Sequence, residues 1–538
     1  MNGRHQSGVV ILDYGSQYTQ LIARRVREMG IYSEILPGDV TLERVVQLAP
    51  AAVVLSGGPS SVHWEGAPTV PAGFFKWAEE AQVPVLGVCY GMQLMVHLLG
   101  GRVESAEKRE YGRMTIKSTA EGAKSDLFGP ESSWLKGAGE LKMWMSHGDE
   151  AATLGPGFSV VAVSEQGSPA AIEDSQRRFY GLQFHPEVTH SERGEELLKF
   201  VIKDLCKVQA NWDMGAALDE QVKRIKAQVG DEEHAICALS GGVDSAVAAT
   251  LVHRVMGDRL HCLFVDNGLL RHREQERVMD MFSSKLNLPV KCADASDRFL
   301  SKLDGVSDPE RKRKIIGAEF IAVFEEFSSE LEAKLGKRPR YLVQGTLYPD
   351  VIESCPPPGT GRKHSVTIKS HHNVGGLPEK MNLALIEPLR LLFKDEVRSL
   401  GKLLGVQEPF LKRHPFPGPG LAVRIIGEVT RERCHILRQV DDIFVQGLRE
   451  WDLYDQIWQA FAVFLPLRSV GVQGDSRSHN YVCALRAVVS KDGMTADWFH
   501  FQPDFLSYIS NKICNEVSEV NRIVYDISSK PPSTIEWE

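Results

Sequence analysis

Cys89 sits between two glycines in the run Gly87-Val88-Cys89-Tyr90-Gly91, after an apolar stretch and ahead of a helical pattern. This G-x-nucleophile-x-G spacing suits a sharp strand-to-helix turn that stands the side chain clear of the backbone. The following helix favours a thiolate at its N-terminus, because aligned peptide dipoles leave partial positive charge there. His185 in Gln183-Phe184-His185-Pro186-Glu187 closes a later predicted strand and supplies a base, while Glu187, two residues on, projects to the same side of an extended chain. A Cys, His, Glu triad follows from that spacing. Ser56-Gly57-Gly58-Pro59 also ends a predicted strand and offers unhindered main-chain N–H groups for an oxyanion. A lone cysteine or histidine more often serves packing, and His97, inside the helical pattern after Cys89, reads that way. The combination is what points to nucleophilic chemistry.

A second centre begins at Ser240-Gly241-Gly242-Val243-Asp244-Ser245, which follows the apolar run AICAL and opens an Ala/Val-rich helix. Glycines allow close backbone approach, and N–H groups, hydroxyls and a helix N-terminus together bind phosphate oxygens. Asp244 would repel a bare phosphate but suits magnesium, a hard cation that bridges a carboxylate and substrate phosphates. No lysine follows, so this is not the GxxxxGK[ST] loop. Lys394 and Lys369 could neutralise a departing polyphosphate. Lys369, with His371 and His372, falls in a long Gly/Pro-rich stretch from Gln344 to Pro378 that reads as a lid, with Asp350 and Glu353 as further lid contacts.

These groups need elements to hold them. Apolar runs at residues 9–13, 52–55 and 83–88 alternate with helical patterns at 17–29, 41–48 and 90–99, which predicts a parallel α/β sheet. Runs between 114 and 173 are shorter and richer in turn residues, before a strand returns at 179–184. A second βα alternation has strands at 235–239, 260–265, 289–294 and 341–344, and a small α+β unit follows the Pro/Gly cluster at 414–420. The expected fold is thus two parallel-sheet α/β domains, residues 1–208 and 209–412, followed by a small α+β domain, residues 413–538.

At about 150 residues per domain, 538 residues agree with three or four domains. Apolar residues make up 43% and charged residues 25%, as in an ordinary globular chain. Lysine and arginine number 62 against 70 acidic residues, a net charge of -8, so no overall cationic field draws the chain to nucleic acid. No membrane-length apolar run and no signal-peptide pattern occur, which predicts a cytoplasmic protein without a membrane partner. Nine scattered cysteines without CxxC spacing argue against a disulfide framework or structural zinc.

Residues 9 to about 207, with ILDYGSQY, SGGP, GVCYGMQ and HPE in order, resemble the class I glutamine amidotransferases. That resemblance implies that Cys89 attacks the side-chain amide of glutamine, His185 serves as base and then acid, and Glu187 orients it. It also implies an oxyanion hole of Gly57, Gly58 and Tyr90, with Gln93 and a loop at Ser146-His147-Gly148-Asp149 holding glutamine. SGGVDS resembles the loop of the ATP pyrophosphatases, which implies ATP bound by Ser240, Gly241, Gly242, Val243, Asp244 and Ser245, with adenine on the backbone of Val265. Magnesium at Asp244, and Lys369 and Lys394 on the pyrophosphate, complete that expectation, with no organic prosthetic group.

HPFPGPGLAVR, SVGVQGDSR and the terminal KPPSTIEWE resemble the C-terminal domain of the glutamine-hydrolysing GMP synthases. The resemblance implies a homodimer and xanthosine 5'-monophosphate (XMP) as acceptor, its phosphate and ribose on Arg313, Arg522 and Lys530 and its purine against Ile535 and Glu536, with Gln473 also in the XMP site. ATP would adenylylate the purine oxygen and ammonia would displace AMP to give GMP. The stretches at 132–142 and 355–366 look longer than the family pattern. A sulfur transferase acting on tRNA would need catalytic cysteines. Cys237, Cys262, Cys292 and Cys355 are available, but the first two lie in apolar strands and the chain is acidic. A non-catalytic nucleotide-binding scaffold would lack a catalytic group, whereas Cys89, His185, Glu187 and SGGVDS are all present.

Overall fold

The computed structural model describes residues 8–135, 137, 139–188, 190–353, 383–473, 476–490 and 495–538. They form two compact units that divide between Ala217 and Leu218.

The first unit is built on one mixed sheet of nine strands: β1 Val9–Asp13, β2 Ser33–Pro37, β3 Ala52–Leu55, β4 Val85–Val88, β5 Arg102–Ser118, β6 Glu140–Thr153, β7 Ser159–Ser164, β8 Pro169–Asp174 and β9 Phe179–Leu182. Their order is β2-β1-β3-β4-β9-β8-β7-β5-β6. The first five are parallel, and β8, β7, β5 and β6 join antiparallel. Runs such as VVIL in β1 and AVVL in β3 are buried along their length, as strands covered on both faces by crossover helices must be.

The sequence expectation of short, turn-rich runs over 114–173 is corrected here. β5 and β6 are 17 and 14 residues long and pair as an antiparallel ribbon. Leu141, Met143, Met145 and His147 alternate inward along β6, a strand period that the turn-forming Ser146 and Gly148 obscure. Ser146-His147-Gly148-Asp149 is therefore strand and not loop. The register slips on the β5 side, with Ser105 opposite Asp149 and Glu110 opposite His147, which brings Glu110 inward.

The second unit contains a parallel sheet of β10 Ala235–Leu239, β11 Leu260–Asp266, β12 Val290–Asp294, β13 Tyr341–Val343 and β14 Ala384–Ile386, in the order β12-β11-β10-β13-β14. Cys237 and Cys262 face each other across β10 and β11 and are buried, so both are core residues. A 27-residue helix, Pro309–Leu335, starts on an Asp308 side chain that accepts the Arg311 N–H, with proline at its first turn. A further sheet joins β15 Gln459–Gln473, β16 Ser476–Val489, β17 Asp497–Trp498 and β18 Val520–Tyr525, β16 being paired with the other three.

One apolar cluster runs from Ile236, Leu263 and Phe299 through Leu421 and Phe444 to Phe464 and Ile513. Each fully buried side chain of this kind stabilises by about 1.5–3 kcal/mol, so the shared core holds both sheets of this unit together. The Pro/Gly-rich stretch at 414–420 is packed into it. His414 lies parallel to Tyr454 at 3.9 Å, with Nδ1 accepting the Ala460 N–H at 3.1 Å and Nε2 directed at the Tyr454 carbonyl at 3.0 Å. Burial pushes its pKa down to about 4, so the ring is neutral. Among the described residues, no helix is long and apolar enough to cross a membrane.

Candidate functional sites

Cys89 follows β4 with φ 52° and ψ -108°, a conformation that costs a non-glycine residue about 1–3 kcal/mol and marks a turn held by its surroundings. Its N–H is fixed by the Leu182 carbonyl at 2.7 Å, and helix Tyr90–Leu98 starts immediately after it. A Cβ at Gly91 would lie 2.2 Å from the Leu55 carbonyl oxygen, so this position has room for glycine only. The Cys89 Sγ lies 3.6 Å from the carbonyl of Ser146, which places β6 directly against the nucleophile.

His185 Nδ1 lies 2.7 Å from Glu187 Oε1, and both side chains are buried. The pair forms across a turn after β9, not along an extended strand. The Trp144 carbonyl accepts the His185 N–H at 2.9 Å and Ser191 Oγ donates to the His185 carbonyl, while Tyr18 packs edge-on against the ring at 5.1 Å. A Cβ on Gly57 would stand 3.0 Å from His185 Cε1, so the SGGP turn must come bare to the imidazole. Burial works against the imidazolium, but the charges of Glu187 and Cys89 and hydrogen bonds to both hold its pKa well above 6.5. The protonated ring is thereby favoured. Glu187→Gln removes the stronger of these charges and lets the proton leave at lower pH. The alkaline limb of kcat/KM for amide hydrolysis is expected to move down by about 1–3 units. A pH profile with an unmoved limb would show that Glu187 does not control this proton.

Gln93 and His147 act on the main chain beside the nucleophile. Gln93 Nε2 donates to the Asp149 carbonyl at 2.8 Å and lies 3.3 Å from Gln183 Oε1, and His147 Nδ1 reaches the same carbonyl at 3.0 Å. The other imidazole nitrogen lies 3.0 Å from Glu110 Oε2, in a pair that is almost wholly buried. Burial alone would raise the Glu110 pKa, but hydrogen bonds from His147 and Ser164 and the His147 charge bring it below its ordinary value. Glu110 and Gln183 escape sequence reasoning, because only the slipped β5–β6 register brings Glu110 to His147. Gly148 faces Tyr111 and Arg109, and His97 packs against His63.

In the second unit, Gly242 caps helix Val243–Met256, and Gly241 has φ +75°. Ser240 Oγ accepts the Gly242 N–H at 3.3 Å, Ser245 Oγ donates to the Gly242 carbonyl at 3.1 Å, and the two hydroxyls lie 3.1 Å apart. Val243 is buried, and Val265 lies at the end of the neighbouring β11. Lys394 starts helix Lys394–Leu403 and donates to Asp244 Oδ2 at 2.5 Å, so two groups expected to handle ATP already meet. Asp244 Oδ1 is buried and has no hydrogen-bond partner among the described residues. An unpartnered acidic oxygen at a helix N-terminus fits a site shared by a cation and phosphates. No group of three or more candidate ligands gathers among the described residues, so a magnesium ion here would rely on Asp244 together with substrate oxygens. Asp350 Oδ2 accepts the Leu347 N–H at 2.9 Å. Lys369, His371, His372 and the side chains of Glu353 and Gln473 lie outside the described residues.

The C-terminal segment is docked through Ile535, Glu536 and Glu538. Glu536 forms a two-pronged pair with the fully buried Arg424 at 3.2 and 2.9 Å and accepts from Gln459 Nε2 at 2.7 Å. Ile535 joins the apolar cluster of Phe461, Val463 and Val488. Arg313 donates to the Glu538 main chain at 2.6 Å, and the buried Lys312 pairs with the Glu538 carboxylate. Lys530 bridges Ala496 through its main chain, and Arg522 donates to Ser469 Oγ at 3.0 Å on β15. A cavity of about 670 Å³ opens between the end of β18 and the tail, bordered by Asp526, Ile527, Pro532, Thr534, Glu536 and Trp537. Of the expected acceptor residues, Glu536 lines this cavity, whereas Arg313 and Ile535 are engaged elsewhere in this conformation.

Comparison with known proteins adds a second line. Residues 10–204 match the family model "Glutamine amidotransferase class-I", and residues 446–537 match "GMP synthase C terminal domain". A glutamine-hydrolysing GMP synthase of Aquifex aeolicus is 53% identical over 530 residues, covering 98% of this chain and 99% of its own length. One of Dehalococcoides mccartyi is 52% identical over 535 residues, covering 99% of this chain and 96% of its own. The crystal structure of a glutamine amidotransferase from Thermotoga maritima, 20% identical, covers 38% of this chain and 97% of that one at a TM-score of 0.29.

Proposed function

Because this chain belongs to the glutamine-hydrolysing GMP synthase family, we propose that it aminates XMP to GMP with glutamine as nitrogen donor and ATP as activating substrate. The observation that carries the reading is the strained Cys89 elbow facing a buried His185–Glu187 pair, in the same chain as a phosphate loop whose Asp244 keeps one oxygen unpartnered. Cys89, its thiol proton taken up by His185, adds to the glutamine side-chain carbonyl, with Gly58 and Tyr90 N–H groups, beside Gly57, receiving the oxyanion. His185 gives its proton to the leaving nitrogen, and ammonia departs. The same ring then takes a proton from water as the thioester is hydrolysed to glutamate.

In the second unit the purine oxygen of XMP attacks the α-phosphorus of ATP, and pyrophosphate leaves. Ammonia adds to the activated carbon and AMP departs with the oxygen, which would not leave unaided. Asp244 would hold magnesium, which neutralises phosphate charge when bound. Ser240, Gly241, Gly242, Val243 and Ser245 cradle the phosphates, Val265 receives the adenine, and Lys394 turns from Asp244 to the pyrophosphate. Lys369 belongs to the same set. Gln93, Ser146, His147 and Gly148 shape the glutamine pocket, and Arg313, Gln473, Arg522, Lys530, Ile535 and Glu536 receive XMP.

The reading keeps the division at 1–208, 209–412 and 413–538, and a cytosolic location in keeping with cysteines that are unbridged wherever described. It includes a homodimer formed through the C-terminal domain, supported by the exposed Leu467, Val470 and Val472 on β15. Light scattering should return twice the 59.8 kDa chain mass, and a monomer at micromolar concentration would remove that part. The function itself is tested with glutamine carrying 15N in the side-chain amide. The label is expected in the exocyclic amino group of GMP, and label confined to free ammonia in the presence of ATP and XMP would refute it.

A further inference from the structure

We propose that Arg413 is a positioning residue that sets the phosphate loop and couples it to the nucleotide-acceptor tail. The proposal rests on the preceding assignment of the loop to ATP and the tail to XMP. Arg413 donates to the Gly241 carbonyl at 2.9 Å, at the loop residue with positive φ. Its other guanidinium nitrogen pairs with the buried Glu274, whose second oxygen accepts the Arg271 N–H at 3.0 Å. A planar two-armed cation held by a buried acid is a rigid support. It fixes the Gly241 peptide, and with it the direction of the following N–H groups.

The support continues to the tail. Arg271 stacks on Phe416 with its guanidinium carbon 4.4 Å from the ring centroid, and Arg424 approaches the same ring at 5.1 Å. Arg424 holds Glu536 by two hydrogen bonds. Gln459 makes a parallel link, bonding Glu536 at 2.7 Å and the Pro415 carbonyl at 3.3 Å, which Arg271 also reaches at 3.3 Å. A ligand that engages Glu536 thus draws on the partners of a chain ending at Gly241. The two nucleotide sites are linked by packed, hydrogen-bonded side chains, and each ligand should change the affinity of the other by the same factor.

Arg413→Met alone strands the buried Glu274 charge, so it is paired with Glu274→Gln, which removes both charges. Ammonium-supported synthesis by the full-length double variant is expected to show an ATP KM raised about tenfold or more, with kcat changed less than KM. Arg413→Lys, which restores charge but a single donor direction, should recover part of this. Phe416→Leu, away from the loop, should leave ATP binding without XMP near wild type but reduce the change in ATP Kd on adding XMP, the Gln459 link remaining. Glutamine hydrolysis without nucleotides should be unchanged in all variants. Wild-type ATP KM in the Arg413 variants, or full XMP-dependence in Phe416→Leu, overturns the proposal. Asp244→Asn run alongside separates the two levels. If it retains ATP cleavage, the loop assignment itself fails, whereas its loss with normal Arg413 variants condemns the positioning role alone.

Discussion

Cys89→Ala is expected to lower glutamine-dependent GMP formation by on the order of 10⁴-fold or more, the scale on which loss of a covalent nucleophile is felt. GMP formation from added ammonium should persist at the wild-type rate. The asymmetry follows from location. Cys89 belongs to the β4 turn of the first unit, while the phosphate loop and the acceptor tail belong to the second. Alanine keeps the Cβ at φ 52°, and the lost thiol gives up a 3.6 Å contact with the Ser146 carbonyl and its hydrogen bond with His185, while the Glu187 contact that holds the ring remains. The variant should therefore fold. Loss of activity with both nitrogen sources would mean that Cys89 supports the whole protein and is not the nucleophile.

Asp244→Asn is expected to reduce AMP and GMP formation from either nitrogen source by on the order of 10²–10³-fold, as removal of a preorganised charge at a phosphate site does. The side-chain volume is kept, and the surface pair with Lys394 contributes under about 1 kcal/mol, so folding should not change. Glutamine hydrolysis without nucleotides should remain. Raising magnesium should recover part of the activity if the carboxylate holds the ion, and a wild-type rate at ordinary magnesium would contradict the role.

The two centres were legible because each is written in consecutive residues. GVCYG needs a sharp turn wherever it occurs, and β4 and helix Tyr90–Leu98 fall on either side of Cys89. β1 and β3 were equally clear, since fully buried parallel strands leave unbroken apolar runs. The β5–β6 ribbon was not, because Ser146 and Gly148 carry turn chemistry that cross-strand pairing overrides. Glu110 meets His147 only through a register slip, and no local signal marks it. Buried charges were the least readable. Lys312 reaches Glu538 and Arg424 reaches Glu536 across long spans of chain, and a charged side chain enters a core only where such a partner waits.

The most direct test of the central claim, that one chain joins a glutamine-hydrolysing site to an ATP-dependent XMP-aminating site, is to quantify AMP and GMP from ATP, magnesium and XMP with glutamine or ammonium in parallel. Equimolar AMP and GMP from both sources, and neither product without XMP, is the predicted result. Ammonia released from glutamine with no aminated nucleotide would contradict the account and require a different acceptor.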